Sequence, residues 1–324
     1  MPSDPSVPDA LAPRMSGNPV FPGWYADPEL HLFRGPDGVP RYYIYPTGSA
    51  DFASQASFEC WSSEDLTQWQ NHGVILDFKD VPWSTNYAAW APSCAQSPHD
   101  DKYYFYFSAG DGAGIGVAVS DSPAGPFRDA IGIPLVRDYF FGAQAIDPHC
   151  FVDDDGRAYL YYGGHGHCVV APLTRTMCAI HRAPREITPS PDYVEAPFMV
   201  KRQGKYYLMW SEGEWSDSTY LAAYGVSDSP LGPFEYGGRI LENNPEVAQG
   251  AGHHSVLQLP GTEDEWVICY HRRPLGDTDG HHRVTCIDRL VFREDGSIAP
   301  VNLTHQGVSA HPAQVVNGGT ESTG

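Results

Sequence analysis

Five chemically distinctive residues stand just ahead of five apolar segments in this 324-residue sequence. They are Asp27 in ADPELHLF, Trp90 in WAPSCAQS, Asp147 in IDPHCFVD, Glu195 in VEAPFMVK and His253 in GHHSVLQL. A carboxylate at the entrance of a buried strand is costly to desolvate unless it has a partner or a chemical task. Carboxylates that share one site repel one another, which separates their pKa values and supplies one acid and one base. If the segments converge, the sequence predicts acid–base chemistry; a metal ion or ordered water between the acids is the alternative.

A second repeated element follows each of these residues and indicates how they could converge. Short aromatic segments begin at residues 41, 102, 157, 205 and 265 and read RYYIYPTG, KYYFYFSA, RAYLYYGG, KYYLMWSE and EWVICYHR. Such residues favour strands, and a repeat of roughly 50 to 60 residues without helical periodicity is typical of propeller blades. We therefore predict an all-β fold, a five-bladed β-propeller in a single domain. A β-sandwich is the alternative, but it does not explain the regular spacing.

The propeller prediction also places the five residues. The first strand of each blade lines the central channel, so equivalent ends of these strands meet at one pocket on the axis. The repeats occupy residues 18–301, which we assign to the propeller. We expect a flexible lead-in at residues 1–17 and a polar tail at residues 302–324.

Charge and composition narrow the classes of partner. With 40 acidic against 20 basic residues the formal net charge is −20, which disfavours nucleic acid and anionic lipid because phosphate binding needs clustered cations. No apolar run approaches the roughly 20 residues of a membrane helix, and the first residues do not read as a secretory signal. Seven cysteines without a CxxC pair favour free thiols in a reducing compartment. We expect a cytoplasmic protein with a neutral partner.

The motifs around the five residues carry a resemblance to a known family. PGWYADPE, WAPS, IDPHCF, YVEAPF, GAGHHSV and HRVTCID together resemble glycoside hydrolase family 43, five-bladed β-propellers that act on arabinose- and xylose-containing glycans. The resemblance runs from about residue 18 to residue 301. It implies that Asp27 is the general base, that Glu195 is the general acid, and that Asp147 orients the acid and tunes its pKa.

The resemblance also implies binding residues. His253 corresponds to an axial position that in relatives often lies near a hydrated Ca²⁺, so we expect that a structural Ca²⁺ could sit on the axis, with no cofactor required for the reaction. Arg283 corresponds to an arginine that reaches the sugar pocket. Flat aromatic faces suit the C–H surfaces of a neutral sugar. We expect four aromatic side chains to contact the oligosaccharide or polysaccharide substrate: Trp24, Tyr25, Trp90 and Trp215.

The expected function is an inverting exo-glycoside hydrolase that releases a terminal furanose. An α-L-arabinofuranosidase is the first expectation, a β-D-galactofuranosidase the alternative because its sugar ring is similar, and a β-xylosidase the third. Inversion requires carboxyl groups about 6.5–9.5 Å apart, whereas retention requires about 5–5.5 Å. The bulky insertion DFKDVPWSTNYAAW at residues 77–90 could close one side of the pocket, which favours exo action. A non-catalytic glycan-binding propeller and a transglycosylating propeller that retains configuration remain open.

Overall fold

The computed structural model describes residues 13–52 and 55–314, and nearly all of its regular structure is β-strand. Within these ranges the strands form five antiparallel sheets arranged as blades, which confirms the predicted five-bladed β-propeller. In the described ranges no helix has the length and apolar character needed to cross a membrane. All seven cysteines are free thiols, and six of them are buried.

Each of the first four blades is a four-stranded meander, and the fifth has three strands. Blade one contains β1 (Tyr25–Arg34), β2 (Pro40–Gly48), β3 (Ser57–Ser63) and β4 (Gln70–Asp77), and blade two contains β5 (Trp90–Gln96), β6 (Tyr103–Ala109), β7 (Gly114–Ser120) and β8 (Arg128–Asp129). Blade three contains β9 (His149–Val152), β10 (Ala158–Tyr162), β11 (Val169–Pro172) and β12 (Arg185–Glu186). Blade four contains β13 (Glu195–Arg202), β14 (Lys205–Glu212), β15 (Leu221–Ser227) and β16 (Glu235–Leu241), and blade five contains β17 (Gln249–Gln258), β18 (Trp266–Arg273) and β19 (Val284–Leu290).

The first strands β1, β5, β9, β13 and β17 contact one another in a closed ring around the axis. The aromatic segments of the sequence are the second strands β2, β6, β10, β14 and β18, and their side chains fill the space between blades. Buried tyrosines also fasten one blade to the next, because a tyrosine combines an apolar ring with a polar end. The hydroxyl of Tyr45 donates to the carbonyl of Pro123 at 2.7 Å, and that of Tyr106 to the carbonyl of Met177 at 2.8 Å.

Residues near the two ends of the described range close the ring at blade five. The side chain of Asn18, which is buried, accepts from Ile287 N at 2.8 Å and donates to Asp288 Oδ2 at 3.1 Å, both in β19. The backbone of Ser16 pairs with that of Val308 at 2.8 Å. The described parts of the expected lead-in and tail, residues 13–17 and 302–314, therefore pack on the propeller rather than standing free of it. Residues 1–12 and 315–324 lie outside the described residues.

Candidate active site

A pocket opens on the axis where the first strands begin, and all five blades contribute to its wall. Its cavity volume is about 270 Å³, just below the roughly 300–1,000 Å³ of typical small-molecule sites. The pocket brings together seven of the residues that the sequence singled out: Asp27, Trp90, Asp147, Glu195, Trp215, His253 and Arg283. Side chains from distant parts of the chain therefore meet at the place where the propeller prediction put them.

Trp24 and Tyr25 do not line this pocket. The ring of Trp24 stacks on His282, with ring centroids 4.3 Å apart. The hydroxyl of Tyr25 donates to Glu59 Oε2 at 2.8 Å, and its ring packs edge-on against Trp61 within blade one. Both rings make contacts within the protein outside this pocket, and their contact with the sugar stays a prediction.

Four pocket residues had no counterpart in the sequence reasoning: Phe52, Asp111, Gln144 and Ile146. Phe52 comes from the β2–β3 connection and Asp111 from the β6–β7 hairpin, where nothing repeats between blades. Gln144 donates from its amide to Asp111 Oδ1 at 3.1 Å, which gives the wall a polar group away from the three predicted acids. The signal available for Gln144 and Ile146 was their position just before Asp147 in the segment GAQAID.

A β-bulge at the start of the inner strands turns successive side chains toward the pocket. The register of β1 with β2 shifts between Ala26 and Glu29, and equivalent shifts occur in blades two and four. In the four inner segments that contain a proline, the residue before it has a left-handed backbone: φ is 48° at Asp27, 41° at Ala91, 54° at Asp147 and 61° at Ala196. Non-glycine residues rarely adopt this conformation, least of all before proline, and such strain is concentrated at functional sites. Bulges of this kind re-aim side chains.

We expected the entrance residues to occupy equivalent positions in all blades, but the bulge shows that they do not. Asp27 and Asp147 directly precede the proline, whereas Trp90 and Glu195 stand one residue earlier. The pocket residues therefore come from two adjacent backbone positions. Regular strand alternation would send such neighbours to opposite faces, but Ile146 and Asp147 both line the pocket.

Asp27 lies among three basic side chains. Its Oδ1 is 3.2 Å from Arg283 Nη1, 3.3 Å from His253 Nδ1 and 3.1 Å from His271 Nδ1. The guanidinium of Arg283 is itself held by Ser49 Oγ at 3.1 Å. Burial alone would raise the pKa of Asp27, but the charge of Arg283, followed by that of His253, holds this pKa well below its usual range. Asp27 is therefore ionised at neutral pH.

The pKa values of the other two acids, Asp147 and Glu195, are raised instead. Burial raises the pKa of Asp147 to about 8, and the charges of Glu195 and Asp27 add to this while His253 opposes it. Burial also raises the pKa of Glu195, although the hydroxyl of Tyr220, which donates to Glu195 Oε1 at 2.9 Å, acts against the rise. Close carboxylates resist ionising together. The pair formed by Asp147 and Glu195 therefore keeps a proton at neutral pH, while Asp27 does not.

His253 completes the charge balance of the pocket. Burial alone would lower its pKa, but the charge of Asp27, followed by those of Asp147 and Glu195, raises the pKa of His253 to about 9. The imidazole is therefore a cation at neutral pH, as Arg283 is. Two cations then face two carboxylates and one carboxylic acid, so the site can be buried without a net charge.

The same contacts test whether the pocket fits a calcium ion. Ca²⁺ takes six to eight oxygen ligands, whereas His253 Nδ1 faces Asp27 Oδ1 at 3.3 Å and Asp147 Oδ2 at 3.8 Å. No group of three or more histidine, cysteine or acidic side chains in residues 13–52 and 55–314 is arranged to hold a metal ion. These residues do not fit a cation held by the protein itself, and the axial Ca²⁺ near His253 stays a prediction.

Known proteins resemble this chain along most of its length. The model of the family described as glycosyl hydrolases family 43 matches residues 16–298. The β-D-galactofuranosidase of Aspergillus niger is 48% identical over 303 residues, which cover 90% of this chain and 87% of that enzyme. Xylosidase/arabinosidase 43A of Humicola insolens is 33% identical over 84% of this chain and 95% of its own. The crystal structure of a family 43 arabinoxylan arabinofuranohydrolase from Bacillus subtilis in complex with cellotetraose aligns with a TM-score of 0.78, at 29% identity, over 92% of this chain and 71% of that chain.

Proposed function

This chain belongs to glycosyl hydrolase family 43 and is a glycoside hydrolase, and from this premise we propose that it is an inverting, exo-acting furanosidase. We assign the general base to Asp27, the general acid to Glu195, and the tuning of the acid to Asp147. The observation that carries the assignment is the separation of proton affinities within one pocket. Asp27 is ionised between two cations, while Glu195 and Asp147 hold a proton between them.

In the proposed reaction a water molecule attacks the anomeric carbon of the terminal sugar. Asp27 accepts a proton from this water, and Glu195 donates its proton to the departing glycosidic oxygen on the other side of the sugar. Arg283 and His253 keep Asp27 ionised until it accepts that proton. Tyr220 orients the carboxyl group of Glu195 through its hydrogen bond. Proton exchange with solvent then returns both carboxyl groups to their starting states.

The shape of the pocket supports exo action. The pocket lies on the axis and its wall comes from all five blades, an arrangement that can receive the end of a chain. Aromatic rings border its mouth: the centroid of Phe52 is 5.9 Å from Trp90, 6.3 Å from Trp215 and 6.4 Å from Tyr87. The insertion at residues 77–90 ends in this aromatic group, at Tyr87 and Trp90.

We propose a terminal furanose as the sugar, with β-D-galactofuranose and α-L-arabinofuranose as the two candidates. The relative with 48% identity is named for the first sugar, and the Bacillus subtilis structure for the second. The two rings are similar, but galactofuranose carries a two-carbon diol where arabinofuranose carries a hydroxymethyl group. The hydrogen-bonded pair of Asp111 and Gln144 is a candidate partner for sugar hydroxyls. A β-xyloside is the third candidate, since the Humicola insolens relative is named a xylosidase/arabinosidase.

A panel of 4-nitrophenyl β-D-galactofuranoside, α-L-arabinofuranoside and β-D-xylopyranoside tests the proposal. We expect faster release of nitrophenol from one or both furanosides than from the xyloside, and a first product of inverted configuration in the proton NMR spectrum. Asp27→Asn is the inactive control. A folded enzyme that turns over neither furanoside would contradict the proposed sugar. Retained configuration would contradict the roles of the two carboxyl groups, and binding without turnover would favour a glycan-binding propeller.

A further inference from the structure

A hydrogen bond recurs between the second strand of one blade and the bulge of the next blade. The seventh residue of the aromatic repeat differs between the blades: Thr47, Ser108, Gly163, Ser211 and His271. At three of the joints between consecutive blades, this side chain is a hydroxyl that accepts a backbone N–H of the next blade. The N–H of Ala91 donates to Thr47 Oγ1 at 2.7 Å, that of Asp147 to Ser108 Oγ at 2.9 Å, and that of His253 to Ser211 Oγ at 3.1 Å. The bond fixes the strained bulge that presents a side chain to the pocket.

The joint between blade five and blade one uses a histidine instead. The backbone N–H of Asp27 donates to His271 Nδ1 at 3.1 Å, and the same ring nitrogen lies 3.1 Å from Asp27 Oδ1. The imidazole is fully buried, and its Nε2 has no hydrogen-bond partner among the described residues. A serine or threonine satisfies the equivalent N–H at three other joints. The hydrogen bond alone therefore does not explain why this position carries a larger, titratable ring.

The larger ring adds a contact with the residue that holds the acid. His271 lies parallel to Tyr220, with ring centroids 5.6 Å apart and an interplanar angle of 6°. The hydroxyl of Tyr220 donates to Glu195 Oε1 at 2.9 Å. Tyr220 is itself confined, because a Cβ added at Gly252, the strand partner of His271, would come within 2.3 Å of its ring. A continuous series of contacts thus joins Asp27, His271, Tyr220 and Glu195.

We propose that His271 is a positioning residue that, together with Tyr220, fixes the distance between the Asp27 and Glu195 carboxyl groups. The attacking water and the scissile bond must both fit in this gap. The inference depends on the proposed function, because it assumes that these two groups are the base and the acid. A hydroxyl side chain at this position would leave space beside Tyr220, into which either carboxyl group could shift.

The protonation state of His271 agrees with this role. Burial, opposed by the contact with Asp27 and helped by the nearby charge of Arg283, lowers the pKa of His271 to about 4. The ring is therefore neutral at neutral pH, and its Nδ1 keeps the lone pair that accepts the N–H of Asp27. A protonated ring would lose this acceptor. A neutral ring also brings no further positive charge next to the base, so His271 holds Asp27 in place without neutralising it.

Three variants and one matched control test the role. In His271→Ala both the bond and the stack are lost, and we expect kcat to fall about 10- to 100-fold with KM nearly unchanged, because displacement by about 1 Å costs roughly 10²-fold. His271→Asn keeps an acceptor for the N–H but not the stack, so its kcat should lie between those of His271→Ala and the native enzyme. Tyr220→Phe keeps the stack but frees Glu195. Thr47→Val removes the equivalent bond at the joint between blades one and two, and should lower the melting temperature while kcat stays near native.

Aryl furanosides with good and poor leaving groups separate the two ends of the series. The loss in Tyr220→Phe and that in His271→Asn, which lacks the stack on Tyr220, should grow as the leaving group becomes poorer, because both act through the acid. The further loss in His271→Ala should not depend on the leaving group, because it comes from the hydrogen bond to Asp27, the base. Native kcat in His271→Asn, equal kcat in the Asn and Ala variants, or a change confined to KM would overturn the proposal. If His271→Ala does not fold, His271→Asn alone tests the role: a reduced kcat at native KM would support the proposal, and a native kcat would overturn it. Full activity of Asp27→Asn and Glu195→Gln would instead overturn the proposed function.

Discussion

Replacement of Glu195 by glutamine removes the proton that the proposed mechanism delivers to the leaving oxygen and changes little else. Glutamine has the same length as glutamate, and its carbonyl oxygen can still accept the Tyr220 hydroxyl, which lies 2.9 Å from Glu195 Oε1. The shape of the pocket is preserved, so substrate binding should stay close to that of the native enzyme. The loss in rate is then confined to proton transfer.

The size of this loss depends on how much the leaving group needs the proton. General acid catalysis is typically worth about 10²- to 10⁴-fold, or about 3 to 5.5 kcal/mol of activation free energy. A sugar alkoxide needs this help in full, whereas nitrophenolate leaves almost unaided. We therefore expect Glu195→Gln to lower kcat/KM by about 10²- to 10⁴-fold on a natural disaccharide and by less than about tenfold on the nitrophenyl furanoside.

The assay is a series of aryl furanosides with leaving phenols of increasing pKa, with kcat/KM measured for each. The native enzyme should show a shallow dependence on the pKa of the phenol, and Glu195→Gln a steep one. Asp27→Asn is the control, because loss of the base should lower kcat/KM by a similar factor for every substrate. A loss in Glu195→Gln that is the same for every phenol would refute the acid assignment. A steep dependence in Asp147→Asn instead would move the acid role to Asp147, whose pKa burial also raises.

Three further predictions follow from the charges and contacts. Loss of the proton that Asp147 and Glu195 keep at neutral pH leaves two facing carboxylates in the native enzyme but only one in Asp147→Asn, so the alkaline limb of the kcat/KM profile should move to lower pH in the variant; an unmoved limb would count against the tuning role. The pKa of His253 is raised from 6.5 to about 9, and that of Asp147 to about 8. Both groups bind protons more tightly in the folded state, so the melting temperature should fall as the pH rises from about 6.5 to 9, and a His253→Gln variant should show a smaller fall. Asn18→Ala removes several buried hydrogen bonds at the ring closure, and urea unfolding should show a loss of about 2–4 kcal/mol; native stability would mean that the closure does not depend on them.

The fold and most of the pocket could be predicted because their signals repeat. The aromatic segments recur in every blade, and buried strands between blades need such residues whatever the function is. The residues at the entrances of the inner strands converge by the symmetry of a propeller alone. Five of the pocket residues were visible in this way, including the three acids Asp27, Asp147 and Glu195. Arg283 was expected from the family resemblance, and Trp215 from its aromatic side chain.

The remaining features depend on local geometry that does not repeat. Phe52 and Asp111 lie in connections that differ from blade to blade, so no spacing marked them. Tyr25 was expected in the pocket because it neighbours Asp27, but its ring turns into blade one, where its hydroxyl meets Glu59. The bulge was hidden because spacing counted from the aromatic segments does not reveal a change of register. His271 becomes visible only when the seventh positions of the repeats are compared.

The protonation and position of the general base, Asp27, depend on the joint between the last and the first blade. Asp27 belongs to blade one, but the three side chains that contact its carboxylate, Arg283, His253 and His271, all come from blade five. The protonation and the position of the base are therefore set across the ring closure, which Asn18 and the backbone pairing of Ser16 with Val308 hold together. A propeller that opened at this joint would remove both neighbouring cations from Asp27 and admit water beside it. Its pKa would then no longer be held below the usual range by those charges, so closure of the ring and ionisation of the base are one structural requirement.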